Sequence, residues 1–218
     1  MKSRKSIELA ISVFKIHSIT VNVKLIVVSG MLGVGKTSVL LKIIDKIIAK
    51  GYKVVVIENE VSSKGVDGEL INIAGTEVLE LGGGCICCTM KSSLAETLTF
   101  IDANIKPDIV IVEPSGVADP RHILETAKEM RDISVTGTFL VIVADAERFT
   151  KMATVFERPM RNQLKYAELL LLNKIDTRTP DELNEIEQKI RDLDYKGEIV
   201  RIRADIGENM EKIPELIL

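Results

Sequence analysis

The chain has 218 residues, 46% of them hydrophobic and 28% charged, with 29 basic against 32 acidic side chains and a formal net charge of -3. That length suits one large α/β domain, and the composition supports a packed core rather than disorder. The charge balance argues against a cationic nucleic-acid binder, and five Phe, three Tyr and no Trp argue against a platform for stacking bases.

Residues 1–22 precede the first clear strand. Lys2, Arg4 and Lys5 imitate a signal peptide, but Glu8, Lys15 and His17 interrupt any apolar stretch, and no A-x-A-like cleavage site follows. The segment reads as an N-terminal extension, either an added helix or an over-extended gene start. No apolar run of the sequence reaches the roughly 18 residues of a membrane span, so no membrane association is expected and the cytoplasm is the default location.

Val23 to Ser29 is the first strand. Directly after it stands Gly30-Met-Leu-Gly-Val-Gly35-Lys36-Thr37, a G-x-x-x-x-G-K-T loop that opens a helix over Thr37 to Lys50. Gly30, Gly33 and Gly35 let the loop wrap tightly, so that backbone N–H groups of Leu32, Gly33, Val34 and Ser38 and the helix N-terminus face phosphates. Lys36 would reach the β- and γ-phosphates, and the Thr37 hydroxyl would ligate Mg²⁺. Gly51 stops the helix, and Lys53 to Ile57 forms the second strand.

Glu77 to Leu81 reads as a third strand. It runs into Gly82-Gly83-Gly84-Cys85-Ile86-Cys87-Cys88, which holds all three cysteines of the chain. An odd, clustered set cannot staple a fold with disulfides and suits a reducing compartment. Three thiols within four residues suit a soft or borderline cation such as Zn²⁺, with one position left for another ligand. Buried structural cysteines and a redox pair at Cys87–Cys88 are the alternatives.

A helix over Lys91 to Ile105 ends before Pro107, and Asp108 to Val112 forms the next strand. Glu113-Pro-Ser-Gly116 follows. A strand-end carboxylate at Glu113 can hold the Mg²⁺ shell, and the Gly116 N–H can meet the γ-phosphate; an ordinary turn is the alternative. Further strands read at Thr138 to Val143, Leu169 to Leu172 and Ile199 to Ile202. Helical patterns occupy about Pro120 to Arg131, Met160 to Tyr166, Pro180 to Leu193 and Glu208 to Leu218.

Asn173-Lys174-Ile175-Asp176 closes the strand Leu169 to Leu172. The Asp176 carboxylate can accept two hydrogen bonds from guanine, a donor pair that adenine lacks. Lys174 can lay its aliphatic stem over the base, and Asn173 can tie down the loop. A solvated turn before a helix is the alternative. Apolar strands alternating with helices imply an α/β, three-layer fold: a mostly parallel central sheet, helices on both faces, and ligands at the carboxyl ends of the strands.

Taken together, G-M-L-G-V-G-K-T (30–37), E-N-E (58–60), G-G-C-I-C-C (83–88), E-P-S-G-V-A-D-P (113–120), V-A-D-A-E-R-F (143–149) and L-L-N-K-I-D (171–176) resemble the CobW family of P-loop GTPases, often called metal chaperones. The resemblance covers about Val23 to the C-terminus, so 23–218 reads as the P-loop GTPase domain. It implies a slow GTPase that binds GTP or GDP with Mg²⁺ and delivers Zn²⁺, Co²⁺ or Ni²⁺ to a client metalloprotein or cofactor pathway. A metal- or nucleotide-dependent homodimer would accord with it. Cys85, Cys87, Cys88 and Glu60 match the family's metal-binding positions, and Asp67 matches less surely. Gln163 and Ala167 match the segment before the base-recognition strand, where Glu168 replaces the usual Asp. Family members usually carry a further C-terminal domain. Arg121 is a candidate arginine finger or a surface residue at a helix start, and His17 and His122 are candidate extra ligands or ordinary surface histidines. A metal buffer that uses GTP only structurally, a nickel-insertion accessory GTPase and a small-molecule kinase are the rival functions.

Overall fold

Strands that are apolar at every position need cover on both faces, and alternation of side chains supplies two apolar surfaces here. The computed structural model describes residues 22–58, 70–73, 76–80, 86–114, 119–130 and 134–218. Within them, eight strands form one sheet: β1 (Asn22–Ser29), β2 (Val54–Glu58), β3 (Leu70–Ile73), β4 (Thr76–Glu80), β5 (Ile109–Glu113), β6 (Ser134–Asp145), β7 (Leu169–Asn173) and β8 (Glu198–Arg201). Their order is β3-β4-β2-β5-β1-β6-β7-β8. Every neighbouring pair is parallel except β3 and β4, which pair antiparallel at the edge.

Seven α-helices lie among the described residues: α1 (Lys36–Ala49), α2 (Ile86–Asn104), α3 (Arg121–Glu129), α4 (Phe149–Val155), α5 (Glu157–Leu164), α6 (Pro180–Asp192) and α7 (Ile213–Ile217). Leu25, Val27, Val55, Ile57, Leu170 and Leu172 pack against α2, α3 and α6 through Leu94, Leu98, Ile123, Ile186 and Ile190. The alternate residues Ile26, Val28, Val54, Val56, Leu169 and Leu171 pack against α1 and α7 through Val39, Ile43, Ile47, Ile213 and Ile217. The three-layer α/β arrangement is the one expected from the sequence. No described helix is long and apolar enough to cross a membrane.

All seven expected strands are present, and β3 is added. It is only four residues long, too short for alternation to distinguish it from a loop. The helix expected from Lys91 begins at Ile86, so Cys87 and Cys88 stand on its first turn rather than in a glycine loop. The helix expected over Met160 to Tyr166 is the end of a pair, α4 and α5, that starts at Phe149. The last expected helix shrinks to Ile213–Ile217. Gly207 and Asn209 take positive φ beside the bridge between Arg203 and Glu208, and a helix cannot pass through that turn. Residues 1–21 lie outside the described residues.

The chain crosses from β5 on one side of β1 to β6 on the other. The carboxyl ends of β1, β5, β6 and β7 therefore meet at the point where the sheet changes winding direction, which is where open α/β sheets bind ligands.

Candidate functional site

The loop 30–35 joins β1 to α1 at that point. A Cβ on Gly30 would collide with the carbonyl oxygen of Val143. Gly35 has φ 94, and a Cβ there would stand 2.5 Å from Asn173 Nδ2. Both ends of the motif thus require glycine for backbone conformation and for close approach.

Three successive carbonyls of the loop are gripped from the β6–β7 side. Arg148 Nη2 donates to Leu32 O at 3.1 Å, Lys174 Nζ to Gly33 O at 3.0 Å, and Asn173 Nδ2 to Val34 O at 2.9 Å. In a planar trans peptide the next N–H points opposite to the C=O. The N–H groups of Gly33, Val34 and Gly35 are therefore turned away from β6 and β7, toward the start of α1. That helix has no side-chain cap at Gly35 and no acidic residue in its first turn. Outward N–H groups beside an uncapped helix N-terminus make an anion cradle. The residues present fit phosphate groups.

Lys36 is 8% exposed. Its Nζ donates to Met31 O at 3.4 Å and lies 3.7 Å from Glu113 Oε1. Thr37 and Ser38 are exposed on the first turn of α1. A cation, a strand-end carboxylate and an exposed threonine hydroxyl thus border the cradle, a donor set suited to phosphate and to a hard divalent cation. Glu58, which sequence reasoning passed over, is in register with Glu113 on one side and with Glu80 on the other.

The N-K-I-D turn is built into the same site. Asn173 is buried, and besides holding Val34 it accepts the Ala204 N–H through Oδ1 at 3.0 Å. Lys174 takes a left-handed conformation with φ 62, which throws Asp176 onto a short 3-10 turn over Ile175–Thr177. The Asp176 carboxylate is 45% exposed and lies 3.5 Å from Arg203 Nε. Ala204 and Arg203, just past β8, thus belong to this turn. Their sequence signal was slight: they follow a short strand without a recognisable motif.

Asp145, at the end of β6, and Arg148 stand in the V-A-D-A-E-R-F run, but sequence reasoning gave neither a role. Asp145 is 3% exposed. Its Oδ1 accepts the N–H groups of Glu147 at 2.9 Å and Arg148 at 3.3 Å. Its Oδ2 accepts from Arg148 Nε at 3.0 Å and Lys174 Nζ at 2.7 Å. Burial on its own would raise this carboxyl's pKa, but the hydrogen bonds from Lys174 and Arg148 prevail and hold it below the ordinary value. A carboxylate at the end of a buried parallel strand was the signal available in the sequence.

An apolar cavity of about 40 Å³ lies against this clamp, lined by Leu32, Asp145, Arg148, Phe149, Met152 and Met160 among others. Lys36, Thr37, Glu113 and Asp176 do not line it, so it is not the phosphate site.

Other candidate residues are distributed as follows. Gly116, Glu60, Asp67, Cys85 and His17 lie outside the described residues. Arg121 is committed to Asp119 by a two-nitrogen ion pair and lies over the Tyr166 ring, 5.7 Å from its centre. The side-chain hydrogen bond from Arg121 lowers the Asp119 pKa against the effect of burial. His122 pairs with Glu125 at 3.7 Å on the surface. Ala167 is buried, and Glu168 Oε2 accepts the Leu140 N–H at 2.8 Å, bracing β6. Among the described residues, no group of three His, Cys, Asp or Glu side chains is placed to hold a metal ion.

Residues 24–201 match the family model described as CobW/HypB/UreG, nucleotide-binding domain. The chain is 32% identical over 155 residues to the zinc chaperone YjiA of Escherichia coli strain K12, covering 68% of this chain and 48% of that protein. It is 26% identical over 213 residues to zinc-regulated GTPase metalloprotein activator 1 of Dictyostelium discoideum, covering 80% of this chain and 44% of that one. It therefore spans about half the length of these relatives. HypB from Helicobacter pylori, in a crystal structure with nickel, shares the fold with a TM-score of 0.59 at 13% identity, over 95% of this chain and 91% of that one. With a G-x-x-x-x-G-K-T loop and an N-K-I-D turn joined at the carboxyl ends of a mostly parallel sheet, and with 24–201 matched, the chain belongs to the CobW/HypB/UreG nucleotide-binding domain family.

Proposed function

We propose that this chain binds and hydrolyses GTP in the service of metal delivery, coupling its nucleotide state to the capture and release of a divalent ion. The observation that carries the reading is the direct contact between two motifs. Asn173 and Lys174 of N-K-I-D hold the carbonyls of Val34 and Gly33 in the G-x-x-x-x-G-K-T loop. These contacts support reading the N-K-I-D turn and the phosphate loop as two parts of one guanine-nucleotide site.

In this reading Lys36 and the loop N–H groups hold the phosphates, and Asp176 accepts the guanine donors. Thr37 and Glu113 would hold Mg²⁺, which when bound would supply positive charge to the phosphates. The Gly116 N–H meets the γ-phosphate. Arg121 is tied to Asp119, so turnover is slow, on the order of 10⁻³ s⁻¹ without a partner.

The transferred metal is substrate here, and zinc is favoured by thiolate ligands and by the names of the relatives. Cys85, Cys87 and Cys88, with Glu60, are its proposed ligands. The start of α2 follows β4, whose end is level with Glu58 and Glu113 at the nucleotide edge of the sheet. Cargo and γ-phosphate would then act on neighbouring loops, and linkage couples their occupancies. The client is a metalloprotein or a cofactor-pathway enzyme, and the setting is the cytoplasm, where clustered thiols stay reduced. A nucleotide- or metal-dependent dimer of 23–218 units is part of the proposal.

The test is zinc titration of the wild type and a C85S/C87S/C88S variant, each with GDP or a non-hydrolysable GTP analogue. The reading expects weaker zinc binding in the variant and a zinc affinity in the wild type that differs between the two nucleotides. Equal affinities across both comparisons would overturn it. GTP turnover measured alongside, with and without zinc, should be present; its absence under every condition would leave a metal buffer that uses GTP only as a structural ligand.

A further inference from the structure

One carboxylate holds both halves of the nucleotide site together. Asp145 Oδ2 receives Lys174 Nζ at 2.7 Å and Arg148 Nε at 3.0 Å. Each of these cations has a second contact, and both second contacts fall on the phosphate loop: Lys174 on Gly33 O and Arg148 on Leu32 O. Lys174 also sits within the base-reading turn, two positions before Asp176. The loop is fitted to this arrangement, because a Cβ on Gly33 would stand 3.1 Å from Arg148 Nη2.

From this geometry we infer that Asp145 and Arg148 are positioning residues that couple guanine recognition to the grip on the phosphates. The inference rests on the reading of the loop and turn as a guanine-nucleotide site. Arg148 acts on the phosphate side alone. It fixes the Leu32 carbonyl and thereby aims the Gly33 N–H at the cradle. Asp145 acts on both sides. It is the fixed point against which Arg148 and Lys174 are held, so its charge sets the loop and the turn in one register. Two cations near neighbouring peptides would otherwise repel each other, and the buried carboxylate between them removes that repulsion. Removing the Asp145 charge therefore frees Lys174, and a shift of Lys174 both loosens Gly33 and moves Asp176 relative to the base.

The inference predicts different signatures for the two residues. R148A should weaken GDP and inosine diphosphate by a common factor of about tenfold, because only phosphate contacts lose their aim. R148K, which keeps one charged donor, should recover part of that loss. D145N should weaken both ligands and also narrow the preference for GDP over inosine diphosphate, which lacks the amino donor that Asp176 reads. A carboxylate with a purely structural role would lower both affinities equally and leave their ratio at the wild-type value.

The experiment is equilibrium binding of both diphosphates to the wild type, R148A, R148K and D145N, with the thermal midpoint of each protein confirming that it is folded. If a variant fails to fold at the working temperature, binding is measured at the highest temperature at which all four are native. Wild-type affinity in R148A, or an unchanged GDP-to-inosine-diphosphate ratio in D145N, would overturn the inference while leaving the nucleotide reading intact. A wild type that binds neither diphosphate would overturn the nucleotide reading and the coupling with it.

Discussion

Single residues in this site are constrained by their neighbours more than by the motif they spell. Gly35 shows it most directly: at φ 94 it faces the Asn173 amide, which is itself pinned between Val34 and Ala204. G35A should destabilise the protein by about 1–3 kcal/mol and abolish nucleotide binding, as measured by urea denaturation and titration calorimetry. Asp145 gives a pH prediction. Its folded-state pKa lies below the ordinary value of 3.8, so its charge stabilises the fold above that value, and the contribution is lost as pH falls through the lower folded value. The stability gap between the wild type and D145N should therefore stay constant from neutral to mildly acidic pH and close only below 3.8. Urea midpoints across that range would check it; a gap that closes near neutrality would contradict the assignment.

At the scale of elements, the sequence was most legible where periodicity ran long. The core of α6 was visible from Leu183, Ile186 and Ile190, and its start is set by Thr179, whose side chain accepts the Glu182 N–H while Glu182 accepts the Thr179 N–H. T179A should cost about 1 kcal/mol in a chemical denaturation experiment and leave GDP affinity unchanged, since the Thr179 side chain bonds only Glu182 within its own cap. Short elements were illegible for a physical reason. Strand β3 is held by its pairing with β4, and four residues carry too little pattern to announce a partner. The start of α2 was illegible because Gly82, Gly83 and Gly84 read as loop and no Ser, Thr, Asp or Asn stands just before Ile86 to mark an N-cap.

On the scale of the whole molecule, the nucleotide site is a meeting of four strand ends, so ligand binding should report on the global fold. GDP at a hundred times its dissociation constant should stabilise the chain by about 2.7 kcal/mol, and ATP at the same concentration should not. Differential scanning calorimetry with each nucleotide, and again after the GDP is removed, checks both statements. The sequence by itself determined the three-layer α/β class and set the G-x-x-x-x-G-K-T loop and the N-K-I-D turn at the ends of strands. Those depend on local spacing and on apolar periodicity, which are written along the chain. Only the tertiary structure decided that Asp145 and Arg148 serve the loop and that Ala204 closes the turn. Arg148 stands 116 positions from Leu32, whose carbonyl it holds, and Ala204 stands 31 positions from Asn173; they meet because β6, β7 and β8 stack in order beside β1. Contacts between strand ends depend on sheet order and register, and no single segment of the chain encodes either.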